Sequence, residues 1–305
     1  MAAILGLVGA LVFPVPRVAA RQDQVVVYCA QDEVFAEPIF RDFEKETGIK
    51  VRAVYDSEAV KTVGLANRLL AERRHPQCDL FWGNEEMRTR QLAQREVFRA
   101  TNGWAAFGVR SRRIVINTNL LSLDKAPHSL IDLTNSLWRE KIAIAYPQFG
   151  TTAAQFHALR QLWGSEAWET WCRTLAANKP RLVDGNSFVV RMVGSGEASI
   201  GLTDSDDVAA GQREGLPVAA LPITAETLLI PNTVGIVREA PHPQSAQTLF
   251  EYLQRPSVAQ RLVANLALES ATPSADAGPA LKLDWNALLR DLQPVTAELN
   301  RIFLR

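Results

Sequence analysis

The feature that most constrains this chain is a repeated switch in hydrophobic period. Val25, Val26 and Val27 open a β-branched run over residues 25–29. Residues 33–47 then place Phe35, Ile39, Phe40 and Phe43 on one helical face, with Gly48 as a C-terminal stop. Residues 49–54 read as a second strand, about 58–74 as a helix with Val63, Ala66, Leu69 and Leu70 inward, 79–82 as a third strand, and about 85–94 as a helix. Strands alternating with helices in this order predict a parallel sheet with right-handed crossovers and helices on both faces.

The alternation returns further along without repeating the sequence. Residues 114–117, 141–145, 199–203 and 233–238 have strand character; 152–163, 166–177, 187–195, 206–214, 243–254, 257–265 and 285–303 have helical character, and 273–279 is a loop. A chain of 305 residues, 47% hydrophobic, suits about two domains of this α/β kind. Lys plus Arg and Asp plus Glu number 33 each, so no overall field favours nucleic acid or an anionic membrane. A charged ligand therefore needs a local site.

Residues 2–13 form a short apolar run, and Val18-Ala19-Ala20 places small residues at a cleavage position before Arg21. Residues 1–20 are accordingly expected to be a signal peptide, and the mature chain a soluble periplasmic protein. Cys29 ends one predicted strand and Cys78 precedes another, which are opposite ends in a parallel sheet, so they are not expected to pair, whereas Cys172 reads as a small buried hydrophobe. The cysteines have no metal-type spacing.

Parallel α/β sheets bind ligands beyond the carboxyl ends of their strands. The polar residues there are Asp32 and Glu33, Ser57 and Glu58, and Asn84 in the first half, and Thr151, Thr152, Asn186, Asp206 and Asp207 in the second. Such a distribution fits a cleft between two lobes. Gly150-Thr151-Thr152 opens a helix with unpaired N–H groups that suit a phosphate, phosphonate or carboxylate; the alternative is an ordinary cap. Asp206 and Asp207 follow Asp204 at a helix start, where they either complement the helix dipole or meet a metal cation or a ligand amine. Tyr28, Tyr55, Trp82, Phe149 and Phe188 are aromatic cleft candidates. His75, His128, His157 and His242 read as surface residues, and Arg110, Arg112 and Arg113 as a solvated segment near the hinge. No Gly-x-Ser-x-Gly elbow, His-Glu-x-x-His pair or phosphate loop occurs, so no catalytic residue is assigned. The rival reading is a hydrolase using paired carboxylates.

At these residues the chain resembles the extracellular solute-binding proteins of ABC transporters, most closely their ferric-iron-binding group with the type II periplasmic-binding fold. Val25-Val26-Val27-Tyr28 with residues 43–51 looks like that family's first strand, helix and second strand. Asp79-Leu80-Phe81-Trp82-Gly83 looks like its third strand, and Val115-Ile116-Asn117-Thr118-Asn119 like the start of its second lobe. Residues 141–145 with Pro147 and Gly150-Thr151-Thr152 resemble its second-lobe strand and helix start, and 231–240 with 246–253 its return to the first lobe. The resemblance implies a lobe 1 of residues 21–110, a lobe 2 of 111–234, and a return of 235–305 to lobe 1, with crossovers near 107–116 and 233–237. It implies a monomeric, non-enzymatic receptor, without a cofactor, that hands ferric iron and a companion anion to a membrane permease. Ferric-binding members carry adjacent tyrosines where this chain has Asp206 and Asp207; its four tyrosines, Tyr28, Tyr55, Tyr146 and Tyr252, are scattered. The alternatives left open are an organic anion or zwitterion (a phosphonate, aminophosphonate or sugar phosphate) and a receptor coupled to a sensor.

Overall fold

The computed structural model describes residues 23–56, 61–272 and 280–304. The expected signal peptide, Ser57, Glu58 and the 273–279 loop lie outside the described residues. The first half runs β1 (Gln24–Cys29), α1 (Glu33–Thr47), β2 (Lys50–Val54), α2 (Lys61–Ala71), β3 (Leu80–Gly83) and α3 (Glu86–Gln94). Strand β1 lies parallel to both β2 and β3, as the alternating pattern predicts. Phe35, Ile39, Phe40 and Phe43 all bury the inner face of α1 against this sheet, and Gly48 ends the helix in the left-handed conformation that glycine adopts without strain.

The second half holds β5 (Ile142–Ala145), α4 (Gly150–Trp163), α5 (Ser165–Ala177), β6 (Arg181–Val183), α6 (Asn186–Ser195), β7 (Ile200–Asp204), α7 (Ser205–Arg213) and β8 (Val218–Ala220). Its parallel core pairs β5 with β6 and β7. Two long strands join the halves where the crossovers are expected: β4 (Trp104–Asn117) and β9 (Leu229–Ile236). They pair antiparallel with each other; β9 also pairs with β3, and the far end of β4 pairs with β7 and β8. The result is one continuous sheet ordered β2-β1-β3-β9-β4-β7-β5-β6.

Some expectations need correction. Strand β4 begins ten residues before Ile114, because its polar half carries Arg110, Arg112 and Arg113, which hide a strand from a hydrophobicity pattern. Strand β9 begins at Leu229 and tolerates Pro231, which faces Val109 where the β4 register shifts. The expected helix 285–303 is two helices, α10 (Trp285–Arg290) and α11 (Leu292–Phe303). Pro294 has no amide hydrogen and its ring crowds the carbonyl four residues back, so the helix breaks at Asp291.

The last helix also sits elsewhere than expected. After α8 (Pro243–Leu253) and α9 (Pro256–Ala264) return to the first half, Val295, Leu299 and Phe303 of α11 enter the second-half core beside Phe156, Trp168 and Trp171. Residues 235–305 therefore do not all rejoin the first lobe. Between them, α10 packs Leu288 with Met87 of α3 and with Ala153, Ala154 and Ala158 of α4, and the Arg90 guanidinium lies 5.2 Å from the ring centroids of both Trp104 and Trp285. Leu299 is fully buried, so Leu299→Ala is expected to lower the unfolding free energy by about 2–5 kcal/mol in urea titration. An effect below about 0.5 kcal/mol would mean that α11 is a surface appendage.

Candidate functional site

The carboxyl ends of the strands open onto a cleft bounded by Asp32, Thr62 and Asn84 from the first half and by the starts of α4, α6 and α7 from the second. The residues preceding α1, α4, α6 and α7 are Asp32, Phe149, Gly185 and Asp204; all four line the cleft, and none caps its helix through a side-chain hydrogen bond. The first turns of α4, α6 and α7 also line this space, so three helices turn the positive ends of their dipoles toward it, and α1 adds only Asp32. Gly150 begins α4 at φ +54°, a left-handed conformation natural to glycine, with nothing within 4 Å of where a Cβ would stand. The cavity volume is about 60 Å³, room for roughly five waters.

Beneath these amides lies a buried charge network. Arg112 Nη1 donates to Asp204 Oδ1 at 2.7 Å and to Asn186 Oδ1 at 2.8 Å, while Arg112 Nε donates to Gln155 Oε1 at 3.0 Å. Arg110 Nη2 donates to Asp204 Oδ2 at 3.1 Å, and the Thr151 hydroxyl donates to the same oxygen at 2.9 Å. Asn186 Nδ2 closes the ring by donating to Thr151 Oγ1 at 3.0 Å. Arg110 Nε lies 3.2 Å from Asp206 Oδ1 without hydrogen-bond alignment, so charge alone links them.

The two aspartates respond oppositely to this setting. Burial pushes Asp204 up, but Arg112, Arg110 and their hydrogen bonds outweigh it and hold the carboxyl below its ordinary value. Asp206 is pushed up to about 7, first by burial and then by Asp204 and Asp32, against the pull of Arg110. Burial also draws the Arg110 pKa down, yet Asp206, Asp204, Asp32 and Asp207 more than offset it, so Arg110 keeps its proton.

Of the residues anticipated from sequence, Asp32, Asn84, Thr151, Thr152, Asn186, Asp206 and Asp207 meet in this cleft. Asn84 accepts a hydrogen bond from the Thr62 hydroxyl at 2.8 Å. Glu33 is exposed in the first turn of α1 and does not line the cleft, so its role there is that of a helix-start acid. Carboxylate oxygens of Asp204, Asp206 and Asp207 lie within 4.8 Å of one another. Among the aromatic candidates, Phe149 lines the cleft, but Trp82 is core beside Phe40 and Phe107. The Tyr28 and Tyr55 hydroxyls donate to Glu72 and Glu37, and Phe188 lies under Arg191.

Arg110 and Arg112 are not solvated: they are 2% and 1% exposed. They are the functional residues that the sequence reading missed, together with Asp204 as their anchor. One signal was present, since Arg110 and Arg112 alternate in phase with Ile114 and Ile116, which places them on a buried strand face. His157 is likewise not on the surface; it packs inside α4, within 3.4 Å of the Thr296 hydroxyl, and burial pushes its pKa down to about 3. His242 is tied to Asp79 through both its amide and its ring.

Comparison with known proteins agrees with this architecture. The family of bacterial extracellular solute-binding proteins matches residues 25–265, and the chain belongs to it. A relative named Fe(3+)-binding periplasmic protein, from Serratia marcescens, is 31% identical over 203 residues. That match covers 60% of this chain and 58% of the relative, less than two thirds of its length. Among solved structures, iron-bound HitA from Pseudomonas aeruginosa superposes with a TM-score of 0.77 at 18% identity over 91% of this chain and 99% of that one. The binding protein AfuA from Actinobacillus pleuropneumoniae, with fructose-6-phosphate bound, does so at 0.77 and 18% over 93% and 99%. At these identities the likeness is one of fold, the two-lobed periplasmic-binding fold.

Two measurements probe the network. Arg112→Leu leaves Asp204 buried with one guanidinium fewer and is expected to cost about 3–5 kcal/mol of stability, with much of the loss recovered in the Arg112→Leu, Asp204→Leu double variant. Simple additivity of the two losses would show that the pair is not coupled. The second is a pH profile. Asp206 has a raised folded pKa, so at this group the folded chain binds more protons than the unfolded one between about pH 4 and 7, and its contribution to stability declines as pH rises through that window, against a rise from His157, whose folded pKa is depressed. Asp206→Asn is expected to remove about 2–4 kcal/mol of that decline in urea titrations at pH 4, 5.5 and 7.5. Glu85, also pushed up to about 7 by burial, supplies a decline common to both proteins. A profile unchanged by Asp206→Asn would place the titration elsewhere.

Proposed function

We propose that this chain is the periplasmic ligand-capturing component of an ABC importer and that its cleft takes a small phosphonate or phosphate bearing an amine, an aminophosphonate in the simplest case. The observation that carries this reading is the meeting of three helix starts without side-chain caps, those of α4, α6 and α7, with the acidic wall of Asp32, Asp206 and Asp207. Backbone amides at helix starts suit an oxyanion, and the carboxylates suit an ammonium group a few atoms away. Cavity size supports a compact ligand over a sugar phosphate, which would require the lobes to part. Among the described residues no helix is long and apolar enough to cross a membrane, as a mobile receptor requires.

A second reading, ferric iron with a companion anion, is favoured by the 31% identical relative and by the oxygen cluster of Asp204, Asp206 and Asp207. Against it, both oxygens of Asp204 accept from Arg110, Arg112 and Thr151, and among the described residues Tyr146 is the single tyrosine lining the cleft. A ferric ion would have to displace or share guanidinium partners that already neutralise the acids. The family is one of solute binders, which supports binding without turnover.

Thermal-shift titration of the protein separates these readings. With 2-aminoethylphosphonate the midpoint is expected to rise in step with concentration, about 2.7 kcal/mol of added stability at a hundredfold excess over the dissociation constant. Ethylphosphonate and ethanolamine, each carrying half of the recognition, should shift it far less. Thr152→Val and Asp207→Asn should each weaken the response by about tenfold or more. A shift with ferric citrate alone would overturn the proposal in favour of iron.

A further inference from the structure

The cleft continues past its acids into a vestibule of about 730 Å³ between α1, α7 and the end of α9. Asp32, Asp206 and Asp207 line both spaces, so the two are adjoining chambers with a common acidic wall. Arg213 stands in the vestibule, two turns of α7 beyond Asp206. Positions 206, 210 and 213 share one helical face, and all three line the space.

Arg213 is exposed, yet its guanidinium is held in place. Its Nη1 donates to the Asn265 carbonyl at 3.1 Å, and its Cζ lies 6.0 Å from the centroid of the Phe35 ring. Asn265 closes α9 and Phe35 belongs to the first turn of α1, so both supports come from the first lobe, whereas α7 belongs to the second. Neither support carries a charge, and Arg213 makes no ion pair among the described residues. Arg261 also lines the vestibule but is paired with Asp42. The mouth of the cleft thus has one positioned guanidinium, on an exposed side chain, whose charge no carboxylate meets.

The order of the walls narrows the ligand. From the cleft outward they present helix-start amides, then three carboxylates, then the Arg213 guanidinium. That sequence complements an oxyanion, an ammonium group and a second anion. The seven residues from Asp206 to Arg213 span about 10 Å along the helix axis, which a long arginine side chain and a short ligand divide between them. Glu214 stands in the same wall and disfavours a dianion there, which leaves a carboxylate as the fitting partner. We propose that Arg213 binds a carboxylate of the captured solute, which is then an α-amino acid with a phosphonate or phosphate on its side chain. This rests on the aminophosphonate reading and adds one group to it.

Calorimetry on the whole protein with three compounds tests the assignment. They are 2-aminoethylphosphonate, 2-amino-3-phosphonopropanoate, which adds a carboxylate to the carbon bearing the amine, and 2-aminopropylphosphonate, which adds a methyl group there. The carboxylate compound is expected to bind at least about fivefold tighter than the methyl compound. In Arg213→Gln that ratio is expected to fall to about one, and because it compares two ligands on one protein, a general effect on folding or lobe closure cancels from it. A carboxylate compound that binds the unaltered protein no tighter than the methyl compound overturns the carboxylate site and leaves the aminophosphonate reading standing. So does a ratio that Arg213→Gln leaves unchanged, since the carboxylate then lies elsewhere. If none of the three binds, the aminophosphonate reading itself falls, and this assignment with it.

Discussion

Asp204 sets the terms for everything around it. A carboxylate at the end of a central strand, 2% exposed, is tolerable only if its charge is met inside the protein, and two guanidinium groups from the crossover strand meet it. The hydrogen bonds that complete the arrangement reach Thr151 at the start of α4 and Asn186 at the start of α6. One ion-pair cluster thus fixes the relative positions of β4, β7, α4 and α6. The helix ends that face the cleft are oriented by the charges under them, and these charges also tune the acids that share the space.

This dependence explains why the fold was far more legible in the sequence than the site. Helix α1 and strand β1 announce themselves by period, because burying Phe35, Ile39, Phe40 and Phe43 needs nothing beyond local geometry and a sheet to pack on. Strands β6 and β8, three residues each, are too short to show a period, and they exist because neighbouring strands supply their hydrogen bonds. The acids and hydroxyls of the cleft were found by the rule that ligands bind at strand ends. Arg110 and Arg112 were not, because a charged pair in sequence reads as surface until its countercharge, more than ninety residues away, is brought beside it. Pairing at that sequence distance leaves no local trace.

The cleft combines two kinds of electrostatics that are usually separate. Helix-start amides contribute fixed partial positive charge that cannot be titrated away, whereas Asp206 is poised so that its charge depends on what lies nearby. A cationic group beside Asp206 favours its ionised form, and an anion at the amides leaves it protonated. The site therefore adjusts its net charge to its occupant without moving backbone, a property suited to a receptor whose ligand carries both signs.

The final helix carries a consequence for how the molecule is made. The core closed by Val295, Leu299 and Phe303 is otherwise built from residues 116 to 221. Synthesis from the N-terminus therefore delivers the second lobe long before the segment that seals it. Until that segment emerges, Phe156 and Trp171 lack part of their cover, and the nascent lobe exposes apolar surface that a chaperone can grip. The stability of the second lobe is thereby tied to a helix that follows the rest of its buried core by more than seventy residues.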